Sequence, residues 1–179
     1  PAGTYFAATE VPTYSALTPS SYIQDSSYTF DGTTDQINIG ESATWDPLIG
    51  ITGTKKMTFS ARLRPRAVTN DRILDFGVAN LFFSISSTGA PGDYKLIFYT
   101  KWNGGSVVRW EANSMVASYD EWADVAVTYD ATDPSNDPML YLNGVSQTVT
   151  EHVTAPVGTW DGLGSGATSM GSTGTGDFF

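Results

Sequence analysis

The chain has 179 residues, 40% hydrophobic and 13% aromatic, which suits one domain with a sizeable core and a short appendage and excludes a disordered chain. A formal net charge of −10, with no run of Lys and Arg to offset it, disfavours nucleic acid and anionic membranes as partners because both would be repelled. Cysteine is absent, so disulfides, zinc thiolates and thiol nucleophiles are excluded, and no apolar run approaches the roughly 20 residues of a membrane helix.

In chain order, residues 1–27 read as an extended arm or linker, rich in Pro, Ser and Thr. Tyr5, Phe6, Tyr14 and Tyr22 are unsuited to being left wholly in water, so the arm is expected to lie on its own domain or to dock on a neighbouring subunit. A chain opening on Pro1 rather than Met reads as processed or as part of a longer protein, and no signal peptide is visible. Phe30, Ile37 and Ile39 begin the strands, with Asp31-Gly32 as a turn, and Glu41 to Thr54 is expected to be a loop. Met57, Phe59, Ala61 and Leu63 alternate inward against Thr58, Ser60, Arg62 and Arg64, until Pro65 ends the strand.

Ile73–Phe76, Leu81–Ile85, Tyr94–Tyr99 and Val107–Trp110 read as further strands, with Trp102-Asn103-Gly104-Gly105 as a hairpin turn. No segment carries a helical period over three turns, and Asp120-Glu121-Trp122 is expected to form one helical turn at most. The stretch Tyr119 to Val145 organises the rest. Ala123, Val125, Val127 and Tyr129 share one face of a strand, and Trp122, Asp124, Ala126 and Thr128 the other. A polar loop from Asp130 to Pro138 follows, then Met139–Leu142 and Asn143-Gly144, the dipeptide that best tolerates the positive φ of a tight hairpin. These signals predict an all-β protein built from antiparallel strands.

The Trp122 strand with its V-A-V-T-Y-D, followed by the variable loop and L-Y-L-N-G-V, resembles the central hairpin of laminin G-like domains in the concanavalin A-like lectin/glucanase superfamily. Tyr28–Gly32 with Ile37 and Ile39, and Met57–Pro65, resemble its opening strands in the same order. The resemblance covers roughly residues 28–179 and implies a β-sandwich jelly roll preceded by the arm. It further implies that Gly162–Gly166 is a short late strand and that Gly176–Phe179 precedes a closing strand this sequence does not contain. The gap is expected to be filled by the arm, by a neighbouring chain, or by residues of a longer protein.

Catalytic signals are thin. Of the five glutamates, Glu10, Glu41, Glu111, Glu121 and Glu151, none stands in the Glu-x-Asp-x-Glu pattern of the superfamily's hydrolases, whose chemistry needs two carboxyls at set separation. Glu121 reads as a solvated turn carboxylate and His152, the only histidine, as a surface residue on an edge strand. The chain therefore reads as not an enzyme. Asp130, Asp133, Asn136 and Asp137 supply oxygens suited to calcium, without the regular spacing of a dedicated calcium loop; they are metal candidates, and the plain-turn reading stays open beside them.

Glycan recognition uses aromatic faces beside amides and carboxylates. Trp45, Trp102 and Trp160 all fall in predicted loops, with Asn103 and Asp161 beside the latter two; the competing reading makes them lids over the core. Trp110 and Trp122 read as core or sheet-face residues. The functional expectation is a non-catalytic recognition or adhesion module of a cell-surface, secreted or virion protein, binding glycan. A structural subunit of a larger assembly, such as a phage capsid decoration or fibre protein joined through the arm and an open sheet edge as a homo-oligomer, is the alternative, and a polysaccharide hydrolase a third.

Overall fold

The computed structural model describes residues 13–15, 27–31, 35–66, 70–77, 80–88, 93–113, 117–153 and 155–171. A small ribbon comes first, in which β1 (Thr13–Ser15) runs antiparallel to β2 (Ser27–Thr29). The remainder of the arm, with its expected docking, lies outside the described residues, as do residues 176–179. The body follows as β3 (Ile37–Glu41), α1 (Ser42–Ile49), β4 (Lys56–Leu63), β5 (Asn70–Phe76), β6 (Leu81–Ser87), β7 (Asp93–Trp102) and β8 (Ser106–Ala112). It continues with β9 (Ala117–Ser118), β10 (Ala123–Asp130), β11 (Met139–Leu142), β12 (Val145–Gln147), β13 (Val149–Val153) and β14 (Ala167–Met170).

Two antiparallel sheets result. One has the order β12-β11-β10-β4, the other β13-β8-β7-β6-β5-β14-β3 with β9 alongside β7. The alternation of β10 is realised in full: Ala123, Val125, Val127 and Tyr129 are buried, while the residues between them are partly exposed. Tyr129 bridges the layers, its ring 5.0 Å from Phe98 and 5.4 Å from Trp110 on the opposite sheet. Phe59 on β4 does the same against Phe76, at 5.5 Å. Both strand faces thus meet in one apolar core, the arrangement of a β-sandwich. On the solvent face of the smaller sheet, Arg62 sits opposite Asp124 and Lys56 opposite Asp130, ion-paired at 2.8 and 3.0 Å. Cross-strand pairs of this kind contribute about 0.2–1 kcal/mol each and reinforce a register the core already selects.

Asn143 (φ +49°) and Gly144 (φ +78°) form the predicted tight turn between β11 and β12. Asn143 also lengthens β10: its N–H donates to the Asp124 carbonyl at 2.7 Å and its side-chain oxygen accepts from the Asp124 N–H at 2.9 Å.

Two local expectations are corrected. Within residues 41–54, expected as loop, α1 forms two turns. Ser42, Trp45 and Ile49 fall on one side of it; Ser42 is buried, and the other two pack on the core with Trp45 edge-on to Phe76. Eight residues with Pro47 inside are too few to display a helical period, so burial of that face stabilises the helix rather than propensity. Asp120–Trp122, expected to hold one helical turn at most, is a plain turn with Asp120 at φ +61°. Gly162–Gly166 is a pair of turns leading into β14, because Gly162, Gly164 and Gly166 all hold positive φ, which an extended strand does not use. Among the described residues β4 is an edge strand, and at eight residues it is longer than β3, β12 or β13, the other edges of the two sheets.

Candidate functional site

The predicted glycan residues do come together, but around the core. Trp102 and Trp160 form an antiparallel bridge, and both rings are closed to solvent, at 1% and 2% exposure. The Trp160 indole N–H donates to the Thr100 hydroxyl at 2.7 Å inside the protein. Asp161 is a turn brace, its carboxylate accepting from the N–H groups of Gly104 and Gly105 at 2.8 and 2.6 Å, while Asn103 N–H donates to the Thr159 carbonyl. Trp45 is half-buried against the core from α1. The expectation of sugar-stacking platforms at Trp102 and Trp160 is therefore corrected: a ring without an open face cannot stack on a sugar.

The acidic loop is likewise built from turns. Asp130 accepts from Thr132 N–H and hydroxyl and pairs with Lys56, and these bonds hold its carboxyl down to about 2. Asp133 accepts from Ser135 N–H and hydroxyl, Asn136 donates to the Asp130 carbonyl, and Asp137 accepts the Trp110 indole N–H at 2.9 Å. Among the described residues no group of three or more His, Cys, Asp or Glu is placed to hold a metal ion. All four candidates are thus engaged in the loop's own turns and in Trp110, whereas calcium takes six to eight converging oxygens. A micromolar site would add about 4 kcal/mol of stability at millimolar calcium. The expected outcome is instead that calcium and chelator give superimposable melting curves; a calcium-dependent rise in Tm would overturn this reading.

A different place combines an opening with unused polar groups. Where the ends of β7, β9, β10 and β11 converge, a groove of about 120 Å3 is lined by Tyr94, Ser118, Glu121, Trp122, Ala123, Leu142 and Asn143. That is on the order of ten times the space one ordered water needs. The turn carrying Glu121 and Trp122 is anchored at Asp120, whose N–H donates to the Pro65 carbonyl at 2.7 Å and whose carbonyl accepts Arg64 Nε at 2.8 Å. Register places β9 against the start of β7, with Asp93 opposite Ser118, and the Tyr94 and Tyr119 rings lie parallel 6.3 Å apart.

Tyr94 is fully buried, yet its hydroxyl has no hydrogen-bond partner among the described residues. Burial, and secondarily the nearby Glu121 carboxylate, push this phenol up to about 12, so it stays neutral near physiological pH and can donate as well as accept. Glu121 makes no ion pair among the described residues. Trp122 is half-buried and lines the groove rather than the central core. Asn143 spends its side-chain oxygen on Asp124, an interaction that does not use its NH2 group. A neutral hydroxyl, a carboxylate, an amide and an indole thus share one small depression.

Sequence reasoning passed over this set. Tyr94 alternates like any core tyrosine, and Trp122 and Glu121 read as a sheet residue and a turn carboxylate. The one usable signal is the Tyr119–Trp122 run itself, two aromatics flanking two acids immediately before a strand. His152 lies on the edge strand β13 opposite Arg109, away from the groove's lining.

A search of curated proteins finds no match to the chain. The sequence profile of a laminin G-type family, described as the concanavalin A-like lectin/glucanases superfamily, matches residues 31–179. That span holds both sheets, the inter-sheet aromatic contacts and the whole groove, and so the chain belongs to the concanavalin A-like lectin/glucanases superfamily as a laminin G-like domain.

Proposed function

We propose that this laminin G-like domain is a non-catalytic recognition module, that its ligand is a glycan, and that the glycan seats in the Tyr94–Glu121–Trp122–Asn143 groove of a cell-surface, secreted or virion protein. The observation that carries this reading is the buried Tyr94 hydroxyl, which, like those of Ser84 and Tyr129, has no partner among the described residues and, unlike them, belongs to a residue lining the groove. Burying a hydroxyl with nothing to bond costs roughly 1–3 kcal/mol, so folding alone gives no reason to keep it there. A ligand hydroxyl would satisfy it once the exposed Glu121 turn above it shifts aside, with the indole of Trp122 beside a sugar face and Glu121 and Asn143 accepting and donating around the ring. The groove holds one carboxylate, whereas glycoside cleavage uses two, which supports binding without hydrolysis.

The test separates stability from binding. Tyr94→Phe is expected to melt at the same temperature or higher, because it removes an unsatisfied group, while affinity on a glycan array falls several-fold. Trp122→Ala is expected to abolish array binding. Wild-type protein with no signal above background on the array would sink the proposal, as would Tyr94→Phe that binds unchanged.

The edge of β4 favours a second reading, a structural subunit joined by strand addition to a neighbouring chain. Light scattering decides it: a stable monomer across a concentration series counts against assembly through that edge.

A further inference from the structure

The charge of the groove bears on which sugars it accepts, given the glycan-recognition reading above. Its lining contains one ionisable carboxylate, Glu121, and no Lys or Arg. The nearby guanidinium of Arg64 is committed to Asp120, through the backbone carbonyl at 2.8 Å and a looser 3.9 Å contact with the carboxylate. Arg62 is committed to Asp124 at 2.8 Å. Arg64 and Arg62 are therefore used by other acids, Arg66 follows Pro65 without an ion pair to Glu121, and Glu121 itself forms no ion pair among the described residues. Tyr94 and Trp122 line the same groove, Tyr94 from its buried floor, and a phenol oxygen and an indole both interact favourably with a cation. A net charge of −10 adds a long-range field of the same sign.

We infer that the groove selects a hexosamine carrying a free, protonated amine over its neutral N-acetylated counterpart, and rejects acidic sugars. An ammonium brings three donors and a positive charge to a place that offers a carboxylate, a phenol oxygen and an aromatic face. Neutral N-acetyl sugars keep the stacking and the hydroxyl contacts but lose the charge-assisted bond, which is worth roughly tenfold in affinity. Uronates and sulfated sugars set like charges together.

The experiment is calorimetric titration in mildly acidic buffer with three probes of equal length: a glucosamine oligomer, its N-acetylated form and a uronate oligomer. Wild-type protein is expected to bind the free-amine form roughly tenfold more tightly than the N-acetylated form, with no heat from the uronate. Glu121→Gln, a change at an exposed turn residue, is expected to bring the first two within about twofold. Trp122→Ala is expected to lose both. Equal wild-type affinities for the amine and N-acetyl forms, both lost in Trp122→Ala, would overturn the charge selectivity and leave glycan recognition standing. A preference that survives Glu121→Gln overturns it too, by assigning it to the acidic surface at large. No binding of any probe, with an empty glycan array, removes the glycan reading and this inference together.

Discussion

Replacing Trp160 by Ala is expected to cost about 3–5 kcal/mol of folding stability. The ring is 2% exposed, belongs to the central core and donates its N–H to the Thr100 hydroxyl, itself fully buried. The substitution opens an indole-sized void and strands a buried hydroxyl, two of the few mechanisms that give large losses. The backbone around it compounds the effect, since the Trp102–Trp160 bridge, Asn103 to Thr159 and Asp161 to Lys101 tie two loops into the end of the larger sheet. Against a total stability of 5–15 kcal/mol for a domain of this kind, such a loss leaves a marginal protein. Trp160→Phe isolates the polar part: most of the volume stays, the Thr100 hydroxyl loses its donor, and the cost falls to about 1–3 kcal/mol. Urea denaturation with an unchanged m-value measures both. A loss below about 1 kcal/mol for Trp160→Ala would mean the ring is no part of the core.

Gly77→Ala is expected to destabilise by about 2–4 kcal/mol, far more than a surface alanine normally does. Gly77 turns the chain out of β5 at φ +60°, and a Cβ there would stand 2.2 Å from the Leu163 carbonyl oxygen and 2.9 Å from the Gly164 carbonyl carbon. Both are backbone atoms, so relief requires moving the Gly162–Gly166 turns that deliver β14 to its place between β5 and β3. The hydrogen bond from Gly77 N–H to the Ala167 carbonyl would move with them. Gly104→Ala is the internal control: φ is +75° there, but nothing lies within 4 Å of the added Cβ. That variant bears only the left-handed strain of roughly 1–2 kcal/mol, so the difference between the two measures the steric contact. Equal losses in the two variants would show that the Leu163–Gly164 backbone gives way freely.

The sandwich was legible because its signals are local. Period-two alternation in Met57–Leu63 and Ala123–Tyr129 names the buried face of each strand before any partner is known, and Asn143-Gly144 specifies a tight turn through the φ angles it tolerates. Helix α1 was not legible, since two turns carry no period and only the core beneath Ser42, Trp45 and Ile49 gives them a reason to fold. The tryptophans divide on the same principle. Trp102 and Trp160 stand at loop positions in the sequence, and only the bridge between segments some sixty residues apart turns them inward.

The sequence alone determined which residues alternate, where the chain turns, and that an acidic, cysteine-free all-β domain results. Only the tertiary structure decided which loop aromatics are enclosed, which acids brace turns, and which buried hydroxyls lack a partner among the described residues. Tyr94 is the clearest case. Alternation says that it is buried, but whether its oxygen finds a donor or acceptor depends on Ser118, Glu121, Trp122 and Asn143 arriving from a strand and two turns elsewhere in the chain, and unmet hydrogen bonding is a property of neighbours in space, not of order along the chain.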